Sequence, residues 1–265
     1  MTLIPDIYHV ALKAVQKASQ VILDIYHSDF QAITKEDGSP VTQADLQSSR
    51  VISDTLRETK IPVIGEEQDI ANYEERRTWK EYWCIDPLDG TRMFLKRNNE
   101  FAINIAHIKN NRPVFGIIGD PVNQQILVGG KDYGVFKTSF ANIDFPDKWT
   151  KLEAIDYQNN PVRIICSRSY THGSGFKYVQ SLERQFGELH YIKKGSSLKF
   201  FELAEGRADI YPRFAPTMEW DIAPGHAIIE ALDGEIVDVK ENKRLRYNKE
   251  SLYNPHFIVK TKAFT

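Results

Sequence analysis

The amino-acid sequence predicts a mixed α/β fold in two parts: an N-terminal α+β domain over residues 1–145 and a C-terminal α/β domain over residues 146–265. Three patterns lead to this prediction. Apolar residues recur every three or four positions near the N-terminus, which is typical of amphipathic helices. Apolar runs separated by turn residues over 101–135 indicate an antiparallel meander, and strand-like and helix-like segments alternate after residue 161. The polar stretch 140–160 is expected to be an irregular crossing between the two domains.

Composition restricts the function classes. With 265 residues and 42% hydrophobic content, the chain can bury a substantial core. A net charge of -2 and a pI near 6.4 argue against a nucleic-acid polymer as partner, because such a partner requires a basic surface. Cys84 and Cys166 lie in separate apolar runs, so we expect two reduced, buried thiols and a cytoplasmic location. We expect no membrane span, whereas peripheral contact at the inner face of the membrane and the oligomeric state stay open.

The N-terminal elements follow from periodicity and turn residues. They are, in order, a helix over 5–26, a strand over 31–34, a turn over 36–40, a helix over 42–59, and strands over 62–64 and 82–85. Both later strands run directly into acidic residues. The acids are therefore predicted to lie at strand ends.

The C-terminal elements alternate. They are a strand over 162–166, a turn at 173–175, a helix over 176–186, a strand over 189–192, a helix over 196–205, a strand over 209–211, a helix over 222–232 and a strand over 235–239. Gly206 is expected to end the helix over 196–205. This alternation is typical of an α/β domain.

An acidic turn is the most informative segment. Asp86 and Asp89 follow an apolar strand, and Pro87 and Gly90 predict a tight turn that could aim both carboxylates and a backbone carbonyl at one point. Such a set of oxygen ligands suits magnesium. The alternative is an ordinary helix start in which Asp89 or Thr91 serves only as a cap.

Two further acidic segments bear on the same question. Glu66 and Glu67 follow the strand at 62–64, and paired acids at a strand end repel each other unless a cation lies nearby. Exposure on a loop is the competing explanation. Asp221 precedes an apolar helix, where it could be an N-cap, a metal ligand, or both.

Taken in order, Gly65-Glu66-Glu67, Asp86-Pro87-Leu88-Asp89-Gly90-Thr91 and Trp220-Asp221 resemble the three signature motifs of the inositol monophosphatase superfamily. The resemblance implies a layered αβαβα sandwich of the sugar phosphatase type and a magnesium-dependent, lithium-sensitive phosphomonoesterase. The likeness is greatest to CysQ-type 3'(2'),5'-bisphosphate nucleotidases, which convert 3'-phosphoadenosine 5'-phosphate to AMP and phosphate, and it implies a role in sulfur assimilation. One departure is Tyr170, where many relatives have histidine after Ser-Arg-Ser.

The same resemblance implies roles for individual residues. The metal ligands for two or three Mg²⁺ ions would be Glu66, Asp86, the carbonyl of Leu88, Asp89 and Asp221. The attacking water would be oriented by Thr91 together with Asp45 and Glu66. The substrate contacts would be Gly90, Thr91, Ser196, Lys199, Arg213 and Asp221. For Thr42, three residues before Asp45, a structural capping role is the favoured interpretation.

A helix over 196–205 would project Ser196 and Lys199 from one face, where both could contact a second, non-scissile phosphate beside Arg213. The competing interpretation is that these cations are solvated surface side chains. An inositol monophosphatase or related sugar phosphatase is the alternative within the enzyme class, and a non-catalytic phosphonucleotide-binding protein is the alternative outside it. The seven histidines lack zinc-ligand spacing, which disfavours a zinc enzyme.

Overall fold

The computed structural model describes residues 4–34, 40–166 and 173–265. Two sequence features lie outside these residues, namely positions 36–39 of the turn predicted over 36–40 and the segment Ser167-Arg168-Ser169-Tyr170. Among the described residues, no helix has the length and apolar character needed to cross a membrane.

The first half of the chain forms a helix pair and a large sheet. Its helices are α1 (Asp6–Tyr26), α2 (Gln43–Leu56), α3 (Tyr73–Arg76) and α4 (Thr91–Leu95). Its strands are β1 (Ala32–Thr34), β2 (Pro40–Thr42), β3 (Val63–Gly65), β4 (Glu81–Asp89), β5 (Ala102–Lys109), β6 (Arg112–Asp120), β7 (Gln125–Gly130), β8 (Gly134–Ser139) and β9 (Thr150–Leu152). Strands β3 to β9 pair in sequence order, and only β3 and β4 are parallel. The predicted meander over 101–135 is confirmed.

The second half forms a smaller mixed sheet. Its elements are β10 (Val162–Cys166), α5 (Gly173–Phe186), β11 (Leu189–Lys193), α6 (Lys199–Ala204), β12 (Ile210–Arg213), α7 (Glu219–Ala231), β13 (Glu235–Asp238) and β14 (Phe257–Lys260). The strand order is β11-β10-β12-β14-β13, with β10 parallel to both of its neighbours. The alternation predicted from the sequence is therefore confirmed.

Hydrophobic side chains hold these elements in five layers. Helices α1 and α2 pack on one face of the large sheet, and α7 packs on its other face. A second core joins that face to α6, α7 and the smaller sheet, and a third core joins the smaller sheet to α5. Close approach is possible because Gly116 of β6 has no side chain: a Cβ there would lie 2.1 Å from the carbonyl oxygen of Pro224 in α7. The layering is α, β, α, β, α, as the fold class predicted.

Several local predictions were wrong. Helix α7 begins at Glu219, three residues before the predicted start, and the turn predicted at 173–175 is the first turn of α5. The helix predicted over 196–205 begins at Lys199, because Ser196 has a left-handed backbone (φ 54) that a helix cannot contain. The irregular stretch 140–160 contains β9, which pairs with the first sheet.

Three short elements were not predicted from the sequence, namely β2, α3 and β14. The domain boundary at residues 145 and 146 stays a prediction. Cys84 and Cys166 are buried and unbridged, as expected.

Candidate active site

The site begins where strand β4 ends. Asp86 pairs with Asn104 and Asp89 pairs with Ala102, so one extra residue on β4 makes a β-bulge rather than the predicted tight turn. The amide of Leu88 donates to Oδ1 of Asp86 at 3.0 Å, which fixes the carboxylate inside the bulge. Asp86 is only 1% exposed. The bulge changes the direction of β4 and turns two aspartates toward the same space.

Helix α7 supplies the third carboxylate. Asp221 lies in its first turn, not before it as predicted, and its Oδ2 accepts the amide of Met218 at 2.9 Å. One carboxyl oxygen from each of Asp86, Asp89 and Asp221 lies within 4.8 Å of the others. The tertiary structure therefore brings Asp221 beside Asp86 and Asp89, although Asp221 follows Asp89 by 132 residues in the sequence.

Mutual repulsion among its carboxylates makes this cluster a candidate cation site. Burial raises the pKa of Asp86 well above its ordinary value, and the charges of Glu66, Asp89 and Asp221 raise it further. Removal from water likewise raises the pKa of Asp221, with Asp89 adding to the effect. Carboxylates placed this way are stable as anions only beside a positive charge, and hard oxygen ligands suit a divalent cation. The donor set thus fits a metal ion.

Glu66 and Leu88, the other two predicted metal ligands, line the same cavity but are not members of the three-carboxylate cluster. Glu66 follows β3, which runs parallel to β4, so both strands deliver their acids to one edge of the sheet. The carbonyl of Leu88 accepts the hydroxyl of Thr91 at 3.3 Å.

A hydrogen-bond chain connects Thr91 to Asp45. The Thr91 hydroxyl donates to Oδ1 of Asp45 at 2.8 Å, while the amide and hydroxyl of Thr42 donate to its Oδ2 at 2.7 and 2.6 Å. Thr42 is the N-cap of α2, so the predicted capping role is confirmed. Burial raises the pKa of Asp45, although its three hydrogen bonds oppose that shift. Asp45 is therefore a candidate proton acceptor that is connected to the cavity through the Thr91 hydroxyl.

A cavity of about 640 Å³ adjoins the acidic cluster. Ten of the predicted site residues line it, namely Glu66, Asp86, Leu88, Asp89, Gly90, Thr91, Ser196, Lys199, Arg213 and Asp221. Gly90 is required at its position because its backbone is left-handed (φ 99) and a Cβ would lie 3.0 Å from the carbonyl oxygen of Glu100. Asp45 is the one predicted residue that reaches the cavity only through Thr91.

Lys199 is the principal cation of the cavity. It is 3% exposed, and burial lowers its pKa to about 8 against the opposing charge of Asp89. Its Nζ donates to the carbonyl of Ser196 at 2.9 Å and lies 5.3 Å from the centre of the Tyr211 ring. The solvated-surface interpretation of Lys199 is therefore wrong. Arg213 lies close enough to lower the pKa of Lys199 further.

Ser196 lies differently from the prediction. Because it precedes α6, it does not share a helical face with Lys199. Its hydroxyl donates to Oδ2 of Asp89 at 2.7 Å, and the amide of Ser197 donates to the same oxygen. The hydroxyl of Ser197 instead donates to Asn104 at 2.7 Å. Ser196 thus contacts a candidate metal ligand from the opposite half of the chain.

Sequence reasoning missed several cavity residues. The additional lining residues include Arg92, Met93, Glu100, Tyr211, Thr217 and Trp220. Glu100 accepts the amide of Gly195 at 3.0 Å, which ties the loop after β11 to the loop after α4. The only available signal was that Arg92 and Glu100 flank the acidic motif, and this does not distinguish them from surface charges.

Comparison with known proteins places this geometry in context. The family model described as "Inositol monophosphatase family" matches residues 5–263. The chain is 36% identical over 249 residues to the 3'(2'),5'-bisphosphate nucleotidase CysQ of Escherichia coli K12, covering 92% of this chain and 95% of that protein. It is 32% identical over 262 residues to CysQ of Haemophilus influenzae, covering 98% and 94%.

A solved structure agrees. The chain superposes on CysQ from Bacteroides thetaiotaomicron, described as a bacterial member of the inositol monophosphatase family, with a TM-score of 0.84, 38% identity and 96% coverage of both chains. An inositol monophosphatase from Thermotoga maritima, at 19% identity and a TM-score of 0.76, shares the fold. By its matched length, its fold and its sequence relatives, the chain belongs to the inositol monophosphatase family.

Proposed function

We propose that this chain is a magnesium-dependent 3'(2'),5'-bisphosphate nucleotidase that converts 3'-phosphoadenosine 5'-phosphate to AMP and phosphate. The observation that carries the proposal is the position of the three-carboxylate cluster beside a cavity that contains a buried lysine. A substrate with two phosphates matches a cavity that is lined both by carboxylates suited to a metal and by the cations Lys199 and Arg213. The names of the relatives that cover most of the chain support the same activity.

Two or three magnesium ions would be held by Glu66, Asp86, the Leu88 carbonyl, Asp89 and Asp221. Bound magnesium would neutralise phosphoryl oxygens and lower the pKa of the attacking water. Asp86 is central because it is the most deeply buried of the carboxylates and is affected by the charges of all three others. Lithium would compete for this site and inhibit the enzyme.

The water would be positioned by Thr91 and Glu66. Since the Thr91 hydroxyl donates its hydrogen bond to Asp45, its oxygen lone pairs are available to accept a hydrogen bond from the water. A carboxyl group with a raised pKa, such as Asp45, is a better proton acceptor than an ordinary aspartate. As the new P–O bond forms and the bond to the 3' oxygen breaks, the water proton would pass through Thr91 toward Asp45. The leaving oxygen would take a proton from solvent.

Lys199 and Arg213 would bind the phosphate that is not cleaved. Burial makes an ammonium group costly unless an anion accompanies it, so an anionic ligand would be favoured there. Gly90, Thr91 and Asp221 line the same cavity and would contact the scissile phosphate and the sugar. Ser196 would orient Asp89 in addition to any substrate contact.

We also propose a cytoplasmic location and a role in sulfur assimilation. Two buried, unbridged cysteines support a reducing compartment. Peripheral contact with the inner membrane face remains part of this proposal.

The experiment is a measurement of phosphate release with Mg²⁺. The panel contains 3'-phosphoadenosine 5'-phosphate, its sulfated analogue, inositol 1-phosphate and fructose 1,6-bisphosphate. We expect the bisphosphate nucleotide to have the highest kcat/KM. A preference for inositol 1-phosphate would contradict the proposal and favour a sugar phosphatase.

A further inference from the structure

A buried carboxylate lies next to the candidate metal cluster and is not part of it. Glu219, the first residue of α7, is fully buried, at 0% exposure. It lies two residues before Asp221 in the same helical turn. A buried charge of this kind requires several partners, because its loss of hydration costs several kcal/mol.

The partners of Glu219 come mainly from one distant segment, residues 246–254, here called the C-terminal strap. Oε2 accepts the amide of Asn248 at 2.7 Å, and Oε1 accepts the amide of Lys249 at 3.1 Å. The Nζ of Lys249 forms an ion pair with Oε1 and also donates to the carbonyl of Arg246 at 3.0 Å. Outside the strap, the hydroxyl of Tyr82 also donates to Oε2, at 3.5 Å. Most of the hydrogen bonds to the Glu219 carboxylate, and its ion pair, therefore depend on the strap lying against the start of α7.

Further hydrogen bonds join the strap to the two residues before α7. The amide of Asn254 donates to the carbonyl of Thr217 at 2.8 Å, and its side chain donates to the carbonyl of Met218 at 2.6 Å. The amide of Met218 in turn donates to the Asp221 carboxylate. A continuous chain of contacts thus runs from the strap to the candidate metal ligand.

The other side of the strap is attached to the first half of the protein. Arg76 of α3 is 3% exposed, and its Nη1 donates to the side chain of Asn248 at 2.8 Å while its Nη2 donates to the carbonyl of Glu250 at 2.7 Å. Asn248 adopts a left-handed backbone (φ 60), a conformation that asparagine tolerates better than most residues. The strap is held between the two halves that together form the acidic cluster.

We propose that Glu219 and Lys249 are positioning residues for the metal site: the ion pair between the buried Glu219 and the partly buried Lys249, attached through the strap to Arg76, sets the position of Asp221 relative to Asp86 and Asp89. This inference rests on the proposed function, in that Asp221 binds a metal. Residues that orient a metal ligand typically change metal affinity or activity by 10–100-fold when they are replaced. The proposal is therefore tested through metal affinity, measured without substrate.

The test measures binding of Mn²⁺ alone, by electron paramagnetic resonance, without any nucleotide. Lys249→Met removes the charge but retains most of the side-chain length, and we expect the Mn²⁺ Kd to rise about tenfold. Lys249→Arg retains the charge and should restore the Kd to within about threefold of wild type.

Lys260→Met is the matched control. Lys260 pairs with Glu235 at 2.8 Å, and its side chain is 26% exposed compared with 30% for Lys249. It lies on β14 opposite Ile210, at the far end of β12 from Arg213. We expect this variant to lose stability without a change in Mn²⁺ affinity. If Lys249→Met and Lys260→Met lower the Tm equally and neither changes the Mn²⁺ Kd, the ion pair is merely structural and the proposal is overturned.

A measurement on the wild-type protein covers the case in which Lys249→Met does not fold. Because coupling between two sites is reciprocal, Mg²⁺ binding should slow amide hydrogen exchange across residues 246–254. Unchanged exchange there would also overturn the proposal. A wild-type protein that binds no Mn²⁺ would overturn the proposed function itself, and this outcome is distinct from a variant that binds as tightly as wild type.

Discussion

Replacing Asp86 with asparagine tests the proposed metal site directly. The substitution keeps Oδ1, so the hydrogen bond from the Leu88 amide can survive, but it removes a charge that interacts with those of Glu66, Asp89 and Asp221. We expect turnover to fall at least about a thousandfold, because a loss of about 4 kcal/mol of transition-state stabilisation corresponds to that factor. The fold should persist.

The effect on stability has the opposite sign in metal-free protein. Two full charges at the 4.8 Å limit of the cluster repel by about 3 kcal/mol at an effective dielectric constant of about 20. In the wild-type protein, Asp86 relieves part of this repulsion by binding a proton, since burial and the neighbouring charges raise its pKa in the folded state. That contribution to stability is present at acidic pH and is lost as the pH rises through the folded pKa. At neutral pH, Asp86→Asn should therefore raise the metal-free unfolding free energy by about 1–3 kcal/mol.

The assay is thermal unfolding with and without Mg²⁺, in parallel with phosphate release. Wild type should gain several degrees in Tm when Mg²⁺ is added, whereas Asp86→Asn should begin with a higher Tm and gain little. Asp120→Asn is the control, because Asp120 is also buried but binds only the Asn123 side chain and amide. Near-normal turnover of Asp86→Asn, together with an undiminished response to Mg²⁺, would refute the reasoning.

Three further predictions concern the rest of the cavity. Lys199→Ala should lower kcat/KM for 3'-phosphoadenosine 5'-phosphate by about ten- to a hundredfold, with little effect on inositol 1-phosphate, and equal losses for both substrates would contradict the assignment. The kcat/KM of the wild-type enzyme for the nucleotide should also fall as the pH rises through about 8, where Lys199 loses its proton. Ser196→Ala should raise the Mg²⁺ concentration for half-maximal activity by about tenfold for both substrates, because its hydroxyl contacts Asp89; a change in nucleotide KM alone would argue against this role. Millimolar Li⁺ should inhibit at fixed Mg²⁺ and ionic strength, and a flat titration would exclude that expectation.

The motifs and periodic segments of this protein could be predicted from its sequence. Apolar spacing identified α1 and α2, and turn residues identified the meander, because both are local patterns that directly reflect which face is buried. The three acidic motifs indicated the family because their order and spacing are preserved in this chain. The elements β2 and α3 were missed because they contain few apolar residues, and β14 was missed although it is an apolar run.

The tertiary structure decided how those motifs act together. The sequence by itself determined that Asp86, Asp89 and Asp221 are present and lie near the ends of apolar elements. Only folding determined that their carboxylates converge within 4.8 Å, that Ser196 contacts Asp89, and that Lys199 is buried. The physical reason is that burial and electrostatic repulsion depend on distances across layers packed from both halves of the chain, and these distances leave no local pattern in the sequence.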